Sequence, residues 1–356
     1  MKTKLKILCV LYFVTAFASV LLSWKIPIIM LALFLLGGFF AICLLYINKV
    51  YLKTNHWKNQ FLFTKNFISN AGYRNNLGRN FDVANLGSNP ALYGFFYEKV
   101  RGQNWATGSQ GFPMDFEILK YYHSYVKEGG FVLIPIMPFS SISNFLETRT
   151  EYWSDNYYMK FAKILDYAQA RKLPNGKKVL LKSRYPLILN PKLAVYIFHD
   201  VPVDNKLFIS EQTMQAVELE YDAKQWIKAW ETEFSVKNFN DFLGEKFKSY
   251  FDSGVKMIGE MIDYCLYRNL NPVLITIPLS SYLAKEFSQE FRQKMIYDFV
   301  NAANTQGIKF LDYMFDERFS NPELFNGCFF LNLKGRKLFT AQVVKDLEID
   351  YKTLKL

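Results

Sequence analysis

Phe81-Asp82-Val83-Ala84-Asn85-Leu86-Gly87-Ser88-Asn89-Pro90-Ala91-Leu92-Tyr93-Gly94 is the stretch on which the reading of this chain turns. An apolar run ends at Leu86-Gly87-Ser88. A helix is predicted to begin at once, with Asn89 as N-cap and Pro90 at the first helical position. A strand that turns sharply into a helix through small residues lifts one side chain above the sheet edge, which is the mechanical requirement of a nucleophile elbow.

Outward from this stretch, strand and helix patterns alternate. Residues 103–110 read as a short extended piece ending in Thr107-Gly108-Ser109-Gln110. Residues 113–127 place Phe116, Leu119, Tyr122, Tyr125 and Val126 at helical spacing and close on Gly129-Gly130, predicting a helix. Phe131–Ile136 and residues 272–277 are short apolar runs of the kind buried parallel strands require, and residues 308–311 read as a further strand. Helices are predicted over 242–269, 285–305 and 334–347. Residues 140–240, rich in Tyr, Trp and Asn, read as an insertion covering the sheet. The pattern predicts an α/β domain over 81–356 with a parallel sheet and helices on both faces, its ligand crevice at the carboxyl ends of the strands.

The net charge of +11 suggests nucleic acid until it is located. Residues 1–58 hold seven of the 43 basic residues and no acid, which leaves 36 basic against 32 acidic in the remainder. The excess flanks apolar segments, so nucleic acid is not an expected partner. Residues 7–24 (18 residues) and 26–47 (22 residues) carry no charge and are each long enough to cross a bilayer. One continuous helix over both would run about 60 Å, twice the hydrocarbon thickness, so a transmembrane hairpin over residues 1–48 is predicted, broken at Lys25 and Pro27. Residues 49–80 then read as a juxtamembrane connector. The competing reading is a signal peptide cleaved after Ala16-Phe17-Ala18, which would leave the second span as the anchor. Both readings place the protein at the cell membrane; neither decides the side on which the globular part lies.

Asn85-Leu86-Gly87-Ser88-Asn89, Tyr93-Gly94 and Asn104-Trp105-Ala106-Thr107-Gly108-Ser109-Gln110 resemble the first blocks of an SGNH/GDSL-type hydrolase, and Asp312-Tyr313 with Phe330-Leu331-Asn332-Leu333-Lys334-Gly335 resembles the terminal block of that superfamily. The nearest likeness is to its bacterial membrane-anchored, cell-envelope esterase and acyltransferase branch. The resemblance implies a flavodoxin-like three-layer α/β/α fold and Ser-His-Asp ester chemistry on glycans or teichoic acids. Laid on that pattern, the nucleophile position is Asn89, the acid position Gly327 and the base position Phe330. The residues agree independently: the three histidines are His56, His123 and His199, none in the last 157 residues where the base would fall. Phe cannot take a proton and Asn has no hydroxyl to add to a carbonyl. The catalytic centre therefore reads as degenerate, with Ser88 the weak remaining nucleophile and Gly87, Ser88, Asn89, Gly108, Ser109, Gln110 and Asn332 the crevice candidates.

Three functions stay open at this stage. One is an impaired member that keeps a glycan- or acyl-chain-binding crevice and works with a membrane-bound partner in envelope-polysaccharide or teichoic-acid modification or assembly. Another is an active esterase or O-acyltransferase with its base rebuilt from His199, beside Asp200, or from Asp312. The last is a membrane scaffold. Cys9 and Cys43 lie in the apolar spans, and Cys265 and Cys328 are isolated, so neither a disulfide framework nor a metal site is expected, and no cofactor is implied.

Overall fold

The computed structural model describes residues 12–17, 27–59, 79–97, 100–106, 108, 110–148, 176–199 and 210–350. The chain forms two compact units: Met1–Gln60 with Asp166–Val203, and Phe61–Leu165 with Asp204–Leu356. Part of the stretch read as an insertion thus groups with the N-terminal residues.

In the first unit, helix α1 (Pro27–Tyr51) is 25 residues long. At 1.5 Å per residue it extends about 37 Å, and Met30–Tyr51 is long and apolar enough to cross a bilayer. Residues 12–17 are helical, and the Tyr12 ring stacks on Phe34 of α1 at 5.1 Å. The rest of the first apolar span lies outside the described residues.

The second unit is built on a five-stranded, wholly parallel sheet in the order β2-β1-β3-β4-β5, made of β1 (Phe81–Asn85), β2 (Gly102–Asn104), β3 (Val126–Ile136), β4 (Asn271–Thr276) and β5 (Phe310–Leu311). Buried parallel strands have no solvent face, which is why Val132, Leu133, Ile134 and Ile136 of β3 are all fully buried. Each such side chain contributes roughly 1.5–3 kcal/mol through burial. The helices of this unit include α2 (Asn89–Leu92), α3 (Phe112–Tyr122), α4 (Ala216–Glu233) and α5 (Lys248–Tyr267), a helical stretch over residues 289–303 that joins β4 to β5 and has a π turn at Gln293–Asp298, and, after β5, α6 (Leu333–Asp346). α5 buries the stripe Gly254, Ile258, Met261, Ile262 and Cys265, the spacing of one helical face.

Two local expectations are corrected. The helix predicted over 113–127 ends at Tyr122, passes through a 3-10 turn at His123–Tyr125 and becomes β3 already at Val126. Gly129-Gly130 does not end a helix but lies where β3 bulges. Phe81 pairs with Val126 and Val83 with Phe131, so five residues of β3 advance against two of β1. Lys127 closes the bulge by pairing with Asp82 at 2.5 Å. At the elbow, Ser88 rather than Asn89 is the N-cap, and its side chain makes no capping bond; Asn89 is the first helical residue.

Candidate functional site

After β1 the chain reverses at Gly87, whose φ of +109° lies in the region that side-chain-bearing residues avoid. A Cβ there would also stand 2.8 Å from Ala91 Cβ and 2.9 Å from Pro135 Cγ. The turn is held from beneath by a buried amide lattice. Asn85 Nδ2 donates to Asn104 Oδ1 at 2.8 Å, and Tyr97 Oη donates to Asn85 Oδ1 at 3.0 Å. At the far end of α2, Asn104 Nδ2 donates to the Ala91 carbonyl at 3.1 Å, and the buried Arg336 guanidinium donates to the Phe95 carbonyl at 2.8 Å. The Gly94 and Phe95 N–H groups also donate to the Ala91 carbonyl, so backbone and side chains together fix the chain where it leaves this short helix.

Above the turn is a cavity of about 280 Å³. It opens between β1 and β3, where the chain, having gone to one side of β1 to form β2, crosses to the other side. This is the topological switch point at which parallel sheets gather ligands. Its lining includes Gly87, Ser88 and Asn89 of the elbow, the polar Gln110 and Asp115, and the aromatic Trp226, Trp230 and Phe329. Glu233 adds a carboxylate to the lining.

Asp115 is the residue that sequence reasoning missed. It accepts hydrogen bonds from the Gly87 N–H at 2.8 Å and from Gln110 Nε2. Complete burial pushes its carboxyl up from 3.8 to about 7, against the opposing effect of those two donors. Gln110 Oε1 is buried and has no hydrogen-bond partner among the described residues. Rotation of that amide would let the protonated acid donate to it. An acid in the first turn of a helix ordinarily answers the helix dipole, so nothing in its spacing marked Asp115 as a cavity group.

The sequence-derived candidates separate into distinct places. Gly87, Ser88, Asn89 and Gln110 come together in the cavity lining. Gly108 lies beside Asn89, close enough that an added Cβ would stand 2.8 Å from Asn89 Oδ1. Ser109 lies outside the described residues. Asn332 caps α6, accepting from the Gly335 N–H at 3.0 Å and donating to the Glu323 carbonyl at 2.8 Å, and is not in the lining. Gly327 adopts φ +88°, and the Cys328 N–H that follows donates to Asp222 Oδ2 at 2.8 Å. Phe330 joins an aromatic cluster, with ring centroids 5.1 Å from Tyr93 and 5.5 Å from Trp226.

Among the described residues no histidine lines the cavity. His123 follows α3 and precedes β3, at the amino ends of the strands, where it meets Tyr264 Oη at 3.2 Å. His56 stacks on Tyr196 at 3.6 Å in the first unit, and the exposed His199 belongs to that unit too. Asp200 lies outside the described residues, as do the insertion aromatics Tyr152, Trp153, Tyr157 and Tyr158. Asp312 accepts from Thr276 Oγ1 at 2.6 Å and Tyr297 Oη at 2.8 Å and is not part of the lining. Burial pushes the Cys265 thiol up to about 12; burial and the neighbouring Asp222 push that of Cys328 up as well. Among the described residues no group of three or more His, Cys, Asp and Glu side chains could hold a metal ion.

The fold and site together define an α/β protein with a parallel sheet and an aromatic, amide- and carboxyl-lined cavity at its switch point. No family model matches the chain, and a search of the curated proteins finds no match.

Proposed function

We propose that this is a membrane-anchored protein of SGNH/GDSL-like, flavodoxin-like three-layer α/β/α architecture that binds a glycan or acyl-chain ligand without hydrolysing it. Its place is in the modification or assembly of cell-envelope polysaccharide or teichoic acid. The observation that carries the reading is the cavity: it sits at the elbow, presents Ser88 and Asn89, and among the described residues includes no histidine to activate either. The strand order β2-β1-β3-β4-β5 is that of flavodoxin-like sheets, which supports the architecture. Trp226 and Trp230 share the lining with polar amides and a carboxyl, the mixture of flat apolar faces and hydrogen-bonding groups suited to a sugar ring. Tyr12, which meets Phe34 by stacking and the Leu33 carbonyl at 3.4 Å, supports folding of the two apolar spans into a hairpin.

A second reading, residual acyl transfer, draws on one observation. Asp115 lines the same cavity as Ser88, and burial raises its carboxyl to about 7, in the range a general base uses. Titration of the detergent-solubilised full chain with acetylated and unacetylated envelope-type oligosaccharides, followed by calorimetry and product analysis, separates the two. The binding reading predicts saturable binding that Trp226→Ala weakens at least tenfold, with no acetate released. Acetate release abolished by Ser88→Ala would establish the acyl-transfer reading instead.

A further inference from the structure

We propose that residues 176–199 form a second membrane contact, an interfacial platform lying in the headgroup layer of an anionic lipid surface at the point where α1 leaves the bilayer. The inference rests on the reading of α1 as a membrane span and adds a lipid-facing function for a segment that takes no part in the cavity.

The platform consists of the short helices Gly176–Arg184, Pro186–Leu189 and Val195–Phe198 with a 3-10 turn at Pro191–Ala194. It is fastened to α1 by a polar residue that would be out of place in a simple anchor. Asn48 is 3% exposed, donates from Nδ2 to the Arg184 carbonyl at 2.8 Å, and accepts from the Leu187 N–H at 3.2 Å. The break between the first two helices is therefore fixed to one level of α1. A second tie lies just beyond: Tyr196 stacks on His56 with the rings 5° from parallel, and His56 Nδ1 meets Tyr51 Oη at 2.9 Å.

That level can be placed in the bilayer. Asn48 comes 21 residues after Pro27, so it lies about 32 Å along the helix axis from the start of α1. The hydrocarbon core is roughly 30 Å thick, which puts Asn48 and whatever it holds at the far interface. The composition of the platform suits that depth. Residues 176–199 carry five basic side chains (Lys177, Lys178, Lys182, Arg184 and Lys192) and no acid. The same short segment leaves Ile188, Leu189, Val195 and Phe198 exposed, Phe198 to 81%. Exposed aliphatic and aromatic side chains mixed with basic ones are what an interfacial segment needs: the apolar groups enter the acyl boundary and the cations meet anionic headgroups. On α1, in the turn just before Asn48, Leu44, Leu45, Tyr46 and Ile47 are exposed as well. Lys49 at the end of α1 and Lys53 beyond it add charge of the same sign.

The test is photo-crosslinking in the full chain reconstituted in nanodiscs of phosphatidylcholine with phosphatidylglycerol. p-Benzoylphenylalanine is placed at position 198 and at position 39 within α1, both well exposed. The proposal expects lipid adducts at both positions. It also expects the yield at 198, but not at 39, to fall several-fold in pure phosphatidylcholine or on combining the exposed-site changes Lys177→Gln and Lys192→Gln. Adducts at 39 without adducts at 198 would overturn the platform and leave the anchor standing. Absence of adducts at both would overturn the anchor and the platform together. A yield at 198 indifferent to lipid charge and to the lysine changes would overturn the assignment to an anionic surface.

Discussion

Replacing Asp115 with an asparagine removes a titrating group from the cavity lining while keeping its shape and leaving Oδ1 in place to accept the Gly87 N–H. In the folded chain burial raises this carboxyl from its ordinary 3.8 to about 7. That interval corresponds to roughly 4 kcal/mol of preference for the protonated form. The sign follows from proton linkage. Between the two values the folded state binds more protons than the unfolded state. The stability associated with the neutral acid is therefore full below 3.8 and is lost as pH rises through about 7. The substituted amide does not titrate, so the stability of Asp115→Asn relative to the parent should improve with pH, by roughly 3 kcal/mol between about pH 4.5 and about pH 8.5, and level off above that. Urea denaturation of both proteins in the same detergent, followed by tryptophan fluorescence at a series of pH values, measures the difference directly. Other groups titrate alike in both proteins and cancel. A stability difference that stays constant across the series would refute the claim that the cavity holds this carboxyl near neutrality.

Gly87→Ala should lower stability by about 2 kcal/mol or more, since it combines an unfavourable backbone conformation with contacts under 3 Å to Ala91 and Pro135; thermal unfolding reads this as a reduced Tm. Arg336→Ala withdraws the guanidinium from the Phe95 and Leu92 carbonyls at the end of α2 and should destabilise by about 3 kcal/mol, measured by the same denaturation. Cys265 and Cys328 should remain unmodified by an aromatic disulfide reagent in the folded protein at neutral pH and react only on denaturation, as followed by mass spectrometry.

The parts of the fold legible in the sequence were those dictated by burial on both faces. Phe131–Ile136 and residues 272–277 could be read as strands because a central parallel strand has no room for polar alternation. The turn at Gly87 was legible because few residues other than glycine tolerate its backbone. The bulge in β3 was not, since Gly129-Gly130 after a run of helical spacing is also the signature of a helix end, and only pairing with β1 distinguishes the two. At the site, Ser88, Asn89 and Gln110 were found through local pattern. Asp115 was missed because its significance comes from Gly87, 28 residues earlier, and from the burial both share. Asn332 lay within a recognisable block, yet its side chain is occupied in capping α6. Trp226 and Trp230 could be named as aromatic, but their place in the same cavity lining as the elbow depends on the path of α4, which no periodicity encodes.

The central claim is that the elbow retains its geometry while lacking an activated nucleophile. Incubating the full chain with a fluorophosphonate ester probe and mapping adducts by peptide mass spectrometry tests it most directly, because the probe reports nucleophile activation whatever the natural ligand. The account predicts that Ser88 remains unlabelled after prolonged exposure. Stoichiometric labelling at Ser88, lost on denaturation before exposure, would contradict it.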